Sequence, residues 1–215
     1  MGQIEYEVSV LKPGLLVRDR FGEILDARST VTLIKDRINK SNILIDTGLT
    51  TENAELLNAL NYHNLKPEDI DILINTHAHP DHTGNNDLFT QAQFIGHRKE
   101  YWGVIAQDDC KIIIKDTQLT SGLEILETPG HSKGSISVLV TGRLDDGDHQ
   151  KIAITGDALP ILDNYLKWVP PGINYDPQIA LHSMQKIVNL AIVIIPGHDK
   201  PFKIIDRKKR IAEYL

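Results

Sequence analysis

Apolar and polar residues alternate in short runs along the first third of the chain, at Tyr6 to Val10, Leu15 to Val17, Thr30 to Ile34 and Asn42 to Asp46, with the turn formers Pro13-Gly14 and Gly48 between them. A period of two predicts strands. Behind a cap at Thr50 or Thr51, the residues Ala54, Leu57 and Leu60, with Leu56 beside them, recur at helical spacing and predict a helix ending before Lys66-Pro67. Asp71 to Asn75 is a short apolar run of the kind that fills a buried central strand. Further on, the pattern predicts a short helix reaching Phe89, a strand around Phe94, and β runs at Ile112 to Ile114 and Leu123 to Leu126, whereas Lys99 to Asp109 has no clear period. Ser135 to Thr141 and Lys151 to Thr155 read as a hairpin closed by the Asp- and Gly-rich stretch Leu144 to Asp148. Tyr175 to Leu190 reads as an amphipathic helix, Ile192 to Ile195 as a buried strand and Asp206 to Leu215 as a closing helix. Many strands interrupted by helices place the chain in the α/β class, with two sheets flanked by helical layers, although pattern alone does not choose among α/β forms.

With 215 residues, 41% of them hydrophobic, and no linker or internal repeat, one domain spanning residues 1–215 is expected. No apolar run approaches the roughly 18 residues that cross a bilayer, and the N-terminus lacks a basic stretch followed by an apolar one. A cytoplasmic protein without membrane partners is therefore expected. The single cysteine, Cys110, cannot close an intramolecular disulfide and reads as structural. A formal charge of −6 argues against a broad nucleic-acid surface, and the one basic run, Arg207 to Arg210, reads as a solvated helix end. A small molecule is the expected partner.

The chemistry concentrates in Thr76-His77-Ala78-His79-Pro80-Asp81-His82-Thr83-Gly84-Asn85, directly after a predicted buried strand. Imidazole and carboxylate suit borderline divalent metals, and Pro80 predicts that neither strand nor helix continues there, so that a turning backbone aims side chains at two nearby points. Three further loops repeat one arrangement, an apolar β run, then glycine, then a ligand type: Gly130-His131, Gly156-Asp157 and Gly197-His198. Each glycine allows close backbone approach or a positive φ, which sets the next side chain at a sheet rim.

His77-x-His79-x-Asp81-His82, followed in order by His131, Asp157 and His198, resembles the metallo-β-lactamase superfamily, with Asp46-Thr47-Gly48 similar to that family's early turn. The resemblance implies a four-layer αββα sandwich with two divalent metal ions at one edge of the sheets, zinc in the first place and iron or manganese as alternatives. It places His77, His79 and His131 on one metal, Asp81, His82 and His198 on the other, and Asp157 between them. Water shared by two such cations is acidified towards neutral pH and supplies a hydroxide nucleophile, with Asp81 and Asp157 counted as catalytic as well as ligating. The implied reaction is hydrolysis of a small ester, lactone, thioester or phosphodiester.

Departures from the family pattern narrow the substrate. Zinc β-lactamases generally carry a cysteine ligand where Asp157 stands, and the one cysteine of this chain, Cys110, lies elsewhere, so β-lactam hydrolysis is not expected. The loops Thr128 to His131 and Thr155 to Asp157 look like those of glyoxalase II, but residues 199–215 are too few for the helical region those enzymes add after the last histidine. Lactonases of the family often have a tyrosine acid three residues after the bridging aspartate, where this chain has Pro160, leaving Tyr165 or Tyr175 as substitutes. The segment Asn164 to Tyr175 reads as a Pro-stiffened aromatic loop at the substrate pocket, with Lys167 attracting an anionic group and Trp168 beside it. Pro196-Gly197-His198 with Pro201-Phe202 also resembles the ribonuclease group of metallo-β-lactamase domain-containing protein 1. Persulfide dioxygenases, which share the histidine string on a single iron, form a second alternative.

Overall fold

The computed structural model describes residues 6–101, 110–145 and 147–205. The expected closing helix with Arg207 to Arg210 and most of the stretch Lys99 to Asp109 lie outside the described residues, and so does the side chain of Cys110. In chain order the elements begin with β1 Tyr6–Lys12, β2 Leu15–Arg18, β3 Ile24–Arg28, β4 Val31–Asp36 and β5 Ser41–Ile45, followed by α1 Asn53–Tyr62. Next come β6 Ile72–Ile74, α2 Pro80–Thr83, β7 Gln93–His97, β8 Cys110–Ile113, β9 Thr117–Thr120 and β10 Leu123–Glu127. The rest are β11 Ile136–Leu144, β12 His149–Gly156, α3 Leu162–Lys167, α4 Pro177–Leu190, β13 Val193–Pro196 and β14 Phe202–Lys203.

Twelve strands form one continuous hydrogen-bonded network, ordered β14-β13-β12-β11-β1-β4-β5-β6-β7-β8, with β10 and β9 branching from β11. Its two halves meet where β1 runs parallel to β11, through the pairs Glu7↔Arg143 and Val8↔Leu144. Period-two alternation then decides the layering, because successive side chains leave a strand on opposite faces. Ile43 and Ile45 enter the central core while Leu44 joins Leu56, Leu60 and Phe89 on the α1 side. In the other half Ile152 and Ile154 enter the same central core, and Ala153 packs outward with Ile187 of α4 and Tyr165 of α3. Strands buried on both faces between helices give three apolar layers within four structural ones, the αββα sandwich. The expected face of α1 is corrected in detail: Ala54 is exposed and the buried pair is Leu56 and Leu60, one turn apart.

Two elements escape the periodicity. β3 pairs with β2 as a separate two-stranded hairpin that stands outside the main sheet. β9 is a short strand beside β10, placed by pairing rather than by its own pattern. A buried ion pair, Lys12 Nζ to Glu52 Oε1 at 2.6 Å, ties β1 to the 3-10 turn Thr50–Glu52. Glu52 uses its other oxygen to accept from Leu49 N at 3.1 Å, so the segment leaving β5 is held at both ends. Among the described residues no helix is long and apolar enough to cross a membrane.

Ile34 is fully buried in the central layer, where both half-sheets press on it. Truncation to alanine in a close-packed core typically costs about 2–5 kcal/mol. Ile34→Ala should therefore lower the urea midpoint without changing the slope, and an unchanged midpoint would show that the halves do not close on this residue.

Candidate metal centre

The parallel pairs β5–β6 and β12–β13 end at the site, and β10, antiparallel to β11 as β12 is, ends there too. Beyond β6 come Thr76 and His77, beyond β10 His131, beyond β12 Asp157 and beyond β13 His198. Ile136 N donates to Thr76 O at 2.8 Å and so joins the two halves next to the cluster. Pro80 does not stop helix formation as expected. It occupies the first position of α2, where a missing N–H costs nothing, and that single turn carries Asp81 and His82.

Of the ligand loops, Gly130 (φ +136°) and Gly156 (φ +47°) have the backbone that favours glycine, and a Cβ on Gly156 would stand 2.4 Å from Thr76 Oγ1. Gly197 serves by close approach instead, since a Cβ there would meet Asp157 Oδ1 at 2.2 Å. These contacts bring loops from opposite halves together around seven donors. One set is His77, His79 and His131, another Asp81, His82 and His198, and a third His77, His82 and Asp157, with the donor atoms of each within 4.8 Å of one another. His79 Nδ1 lies 3.0 Å from His131 Nε2, and His82 Nε2 lies 3.5 Å from His198 Nε2. Asp157 divides its oxygens: Oδ1 is 3.1 Å from His198 and 3.4 Å from His82, whereas Oδ2 is 3.5 Å from His131.

Most of the rings are fixed from behind. His82 Nδ1 donates to Asp46 Oδ2 at 2.7 Å, His198 Nδ1 to Arg28 O at 2.9 Å and His131 Nδ1 to Ile173 O at 2.8 Å. Thr76 Oγ1 donates to Asp46 Oδ2 at 2.7 Å and can accept from His77 Nδ1 at 3.1 Å. Asp46, the residue that sequence reasoning placed only in a turn, thus stands behind two ligands. It sits at φ +59°, a conformation to which aspartate is better suited than most residues. Glu100, also missed, accepts from Ala78 N at 3.2 Å and Gly134 N at 2.7 Å and clamps the loops bearing His77 and His131 together. Glu100 lies in no ligand-like string and no local signal marks it, whereas Asp46 was marked only as part of the Asp46-Thr47-Gly48 turn.

The electrostatics follow from burial and neighbours. Burial, with repulsion from His82, holds His77 well below the ordinary imidazole value. For His82 burial opposes charge, but the carboxylates of Asp46 and Asp157 outweigh it and raise its proton affinity well above the usual. Burial likewise works against ionised Asp157, yet His198 and His82 keep it well below the carboxylate range. The residues fit divalent metal ions: His77 Nε2 and Asp157 Oδ1 are buried with no hydrogen-bond partner, an expensive arrangement for polar atoms unless a cation takes their lone pairs. Two ligands about 2.0–2.1 Å from one tetrahedral ion stand roughly 3.3 Å apart, close to the separations above.

Comparison with known proteins agrees. Residues 26–101 match the model of the metallo-β-lactamase superfamily. A probable metallo-hydrolase of Methanocaldococcus jannaschii is 38% identical over 73% of this chain and 70% of its own length. Metallo-β-lactamase domain-containing protein 1 of Xenopus laevis is 31% identical over 93% of this chain and 82% of its own. The chain belongs to the metallo-β-lactamase superfamily. The solved structure of Bacillus thuringiensis AiiA with N-decanoyl-L-homoserine at its active site superposes with a TM-score of 0.70 at 23% identity, covering 93% of this chain and 94% of that one. The superfamily assignment makes this protein a metallo-hydrolase and the His/Asp cluster its metal-binding site.

Four residues expected at the substrate are placed elsewhere, and these expectations are corrected. Tyr165 is fully buried against Phe202, and its hydroxyl donates to Ile205 O at 2.7 Å, so it is a core residue. Lys167 points to solvent from the end of α3 and pairs with Asp163 at 2.6 Å. Trp168 caps α3 in the left-handed conformation and packs on the outer apolar layer. Tyr175 is 45% exposed and does not line the cleft above the cluster. That cleft, of about 270 Å³, is walled by the β2–β3 hairpin, Leu49, Pro160 and the 171–173 loop, and it is through this loop that the expected segment Asn164 to Tyr175 reaches the pocket.

Outer partners of metal-ligating histidines typically carry about 10–100-fold in affinity. Asp46→Asn keeps the shape but replaces one acceptor oxygen by a donor facing groups that already donate. Chelator competition should show a loss in that range with the circular-dichroism spectrum retained, and unchanged affinity would remove Asp46 from the support of the site.

Proposed function

We propose that this chain is a single-domain hydrolase in which two divalent metal ions, zinc in the first place, serve cleavage of a small ester, lactone, thioester or phosphodiester. The observation that carries the reading is Asp157, whose two oxygens face different histidine groups at the floor of one cleft. On this reading His77, His79 and His131 hold one ion, Asp81, His82 and His198 the other, and Asp157 both. Seven nitrogen and oxygen donors are too many for a single tetrahedral ion. Bound metal supplies an acidified water and polarises the target oxygen. The chain's own groups do the rest. Asp46, Ile173 and Arg28 fix ring orientation, and the apolar walls of the cleft exclude bulk water around the reacting bond. A small substrate suits the cleft volume and agrees with the acyl-homoserine seen bound to AiiA.

Elemental analysis of protein purified without added metal should give two ions per chain, predominantly zinc. One iron and no zinc would replace this reading by a mononuclear oxygenase. With a panel of lactone, thioester, phosphodiester and RNA substrates, a small ester-type compound should be turned over fastest and with little dependence on salt. RNA cleaved faster than any of them, with steep salt dependence of binding, would make the chain a nuclease.

Asp157→Ala should abolish most turnover while leaving the unfolding midpoint close to that of the parent, because the carboxylate sets the spacing of the two ions. Full turnover with both metals retained would exclude a bridging role.

A further inference from the structure

The walls of the cleft are apolar, with Leu16, Ile24, Leu49 and Ile173 among them, and the metal ligands form its floor. Among the described residues a single guanidinium interrupts this surface. Arg18 lies on β2, two residues from Leu16 and therefore on the same face of the hairpin, and it pairs with Ile24 across the ladder. Its Nη1 donates to Gly22 O at 2.7 Å, and the turn beneath it is fixed by Asp19 Oδ1, which accepts from Phe21 N at 2.8 Å and Glu23 N at 2.9 Å. Across the cleft the other terminal nitrogen faces Gly172, where a Cβ would come within 3.1 Å of it. Glycine at 172 thus leaves the guanidinium room to lie over the mouth. Among the described residues no ion pair engages Arg18, unlike Arg28 and Arg37, which are paired with Asp26 and Glu7.

We propose that Arg18 is a specificity residue that binds a carboxylate or phosphate at the end of the substrate remote from the scissile bond, with the apolar wall gripping the carbons between. This rests on the hydrolase reading and narrows it to substrates with an anionic tail, the role first expected of Lys167. Planar guanidinium matches either anion in a two-point hydrogen bond. The bound tail and the metal floor together fix how deep the reacting group sits.

The test uses the zinc-loaded full chain and calorimetric titration with linear monocarboxylates, α,ω-dicarboxylates and ω-phosphonocarboxylates of about four to ten carbons, so that one carboxylate reaches the floor and the second anion spans the cleft. At one or more lengths a doubly anionic probe should bind about tenfold tighter than the monocarboxylate, and the preferred head group tells carboxylate from phosphate recognition. Arg18→Gln should erase that preference without changing metal content or the affinity for monocarboxylates, Arg18→Lys should keep part of it, and added salt should reduce it. Equal affinities at every length, a preference that survives in Arg18→Gln, or loss of metal from that variant would each overturn the proposal. If the preference holds but no ester, lactone, thioester or phosphodiester is turned over, the hydrolase reading fails and the anion site stands.

Discussion

The carboxylate of Asp46 is the group on which the site's order rests. One oxygen accepts hydrogen bonds from both Thr76 Oγ1 and His82 Nδ1, the other accepts from the backbone N–H of Thr76, and Thr76 Oγ1 in turn can accept from His77. A buried negative charge is tolerated only when hydrogen bonds surround it, and here each of those bonds fixes an atom near the cluster. The ligands are thereby ordered by a charge that never touches the cleft.

Around that charge the two halves of the sandwich converge for a reason visible in the alternation of the strands. With both faces of Ile43 to Ile45 and of Ile152 to Ile154 covered, polar groups are left to gather where strands end. The rim is the place where loops from both half-sheets can meet without breaking a ladder. Seven donors there come from four separate loops, and no single local segment could assemble them.

Much of this was legible in the sequence because the chemistry is local in each piece. His77 to His82 is one string, and His131, Asp157 and His198 each follow glycine at the end of an apolar run. What stayed hidden depends on contact over long separations: His198 meets Arg28 across 170 positions, and Asp46 meets His82 across 36. The first part of the expected wall segment, residues 164–168, was misread for a related reason. Pro160 and Pro170-Pro171 gave residues 164–175 the look of a loop, while Leu162, Tyr165 and Leu166 in fact recur at helical spacing and turn inward on α3. β3 went unseen because Ile24 and Leu25 interrupt strict alternation, and only pairing with β2 makes them a strand.

The hairpin and the 171–173 loop do more than line the cleft, since each supplies a backbone carbonyl to the outer nitrogen of one imidazole, Arg28 O to His198 and Ile173 O to His131. The walls of the cleft and the cluster at its floor are therefore one mechanical unit. Any remodelling of either wall must preserve the path of the main chain at these two carbonyls if the two rings are to keep their orientation. The side chains of the walls and the hairpin tip carry no such constraint, so the shape of the cleft can be altered there without moving the donors.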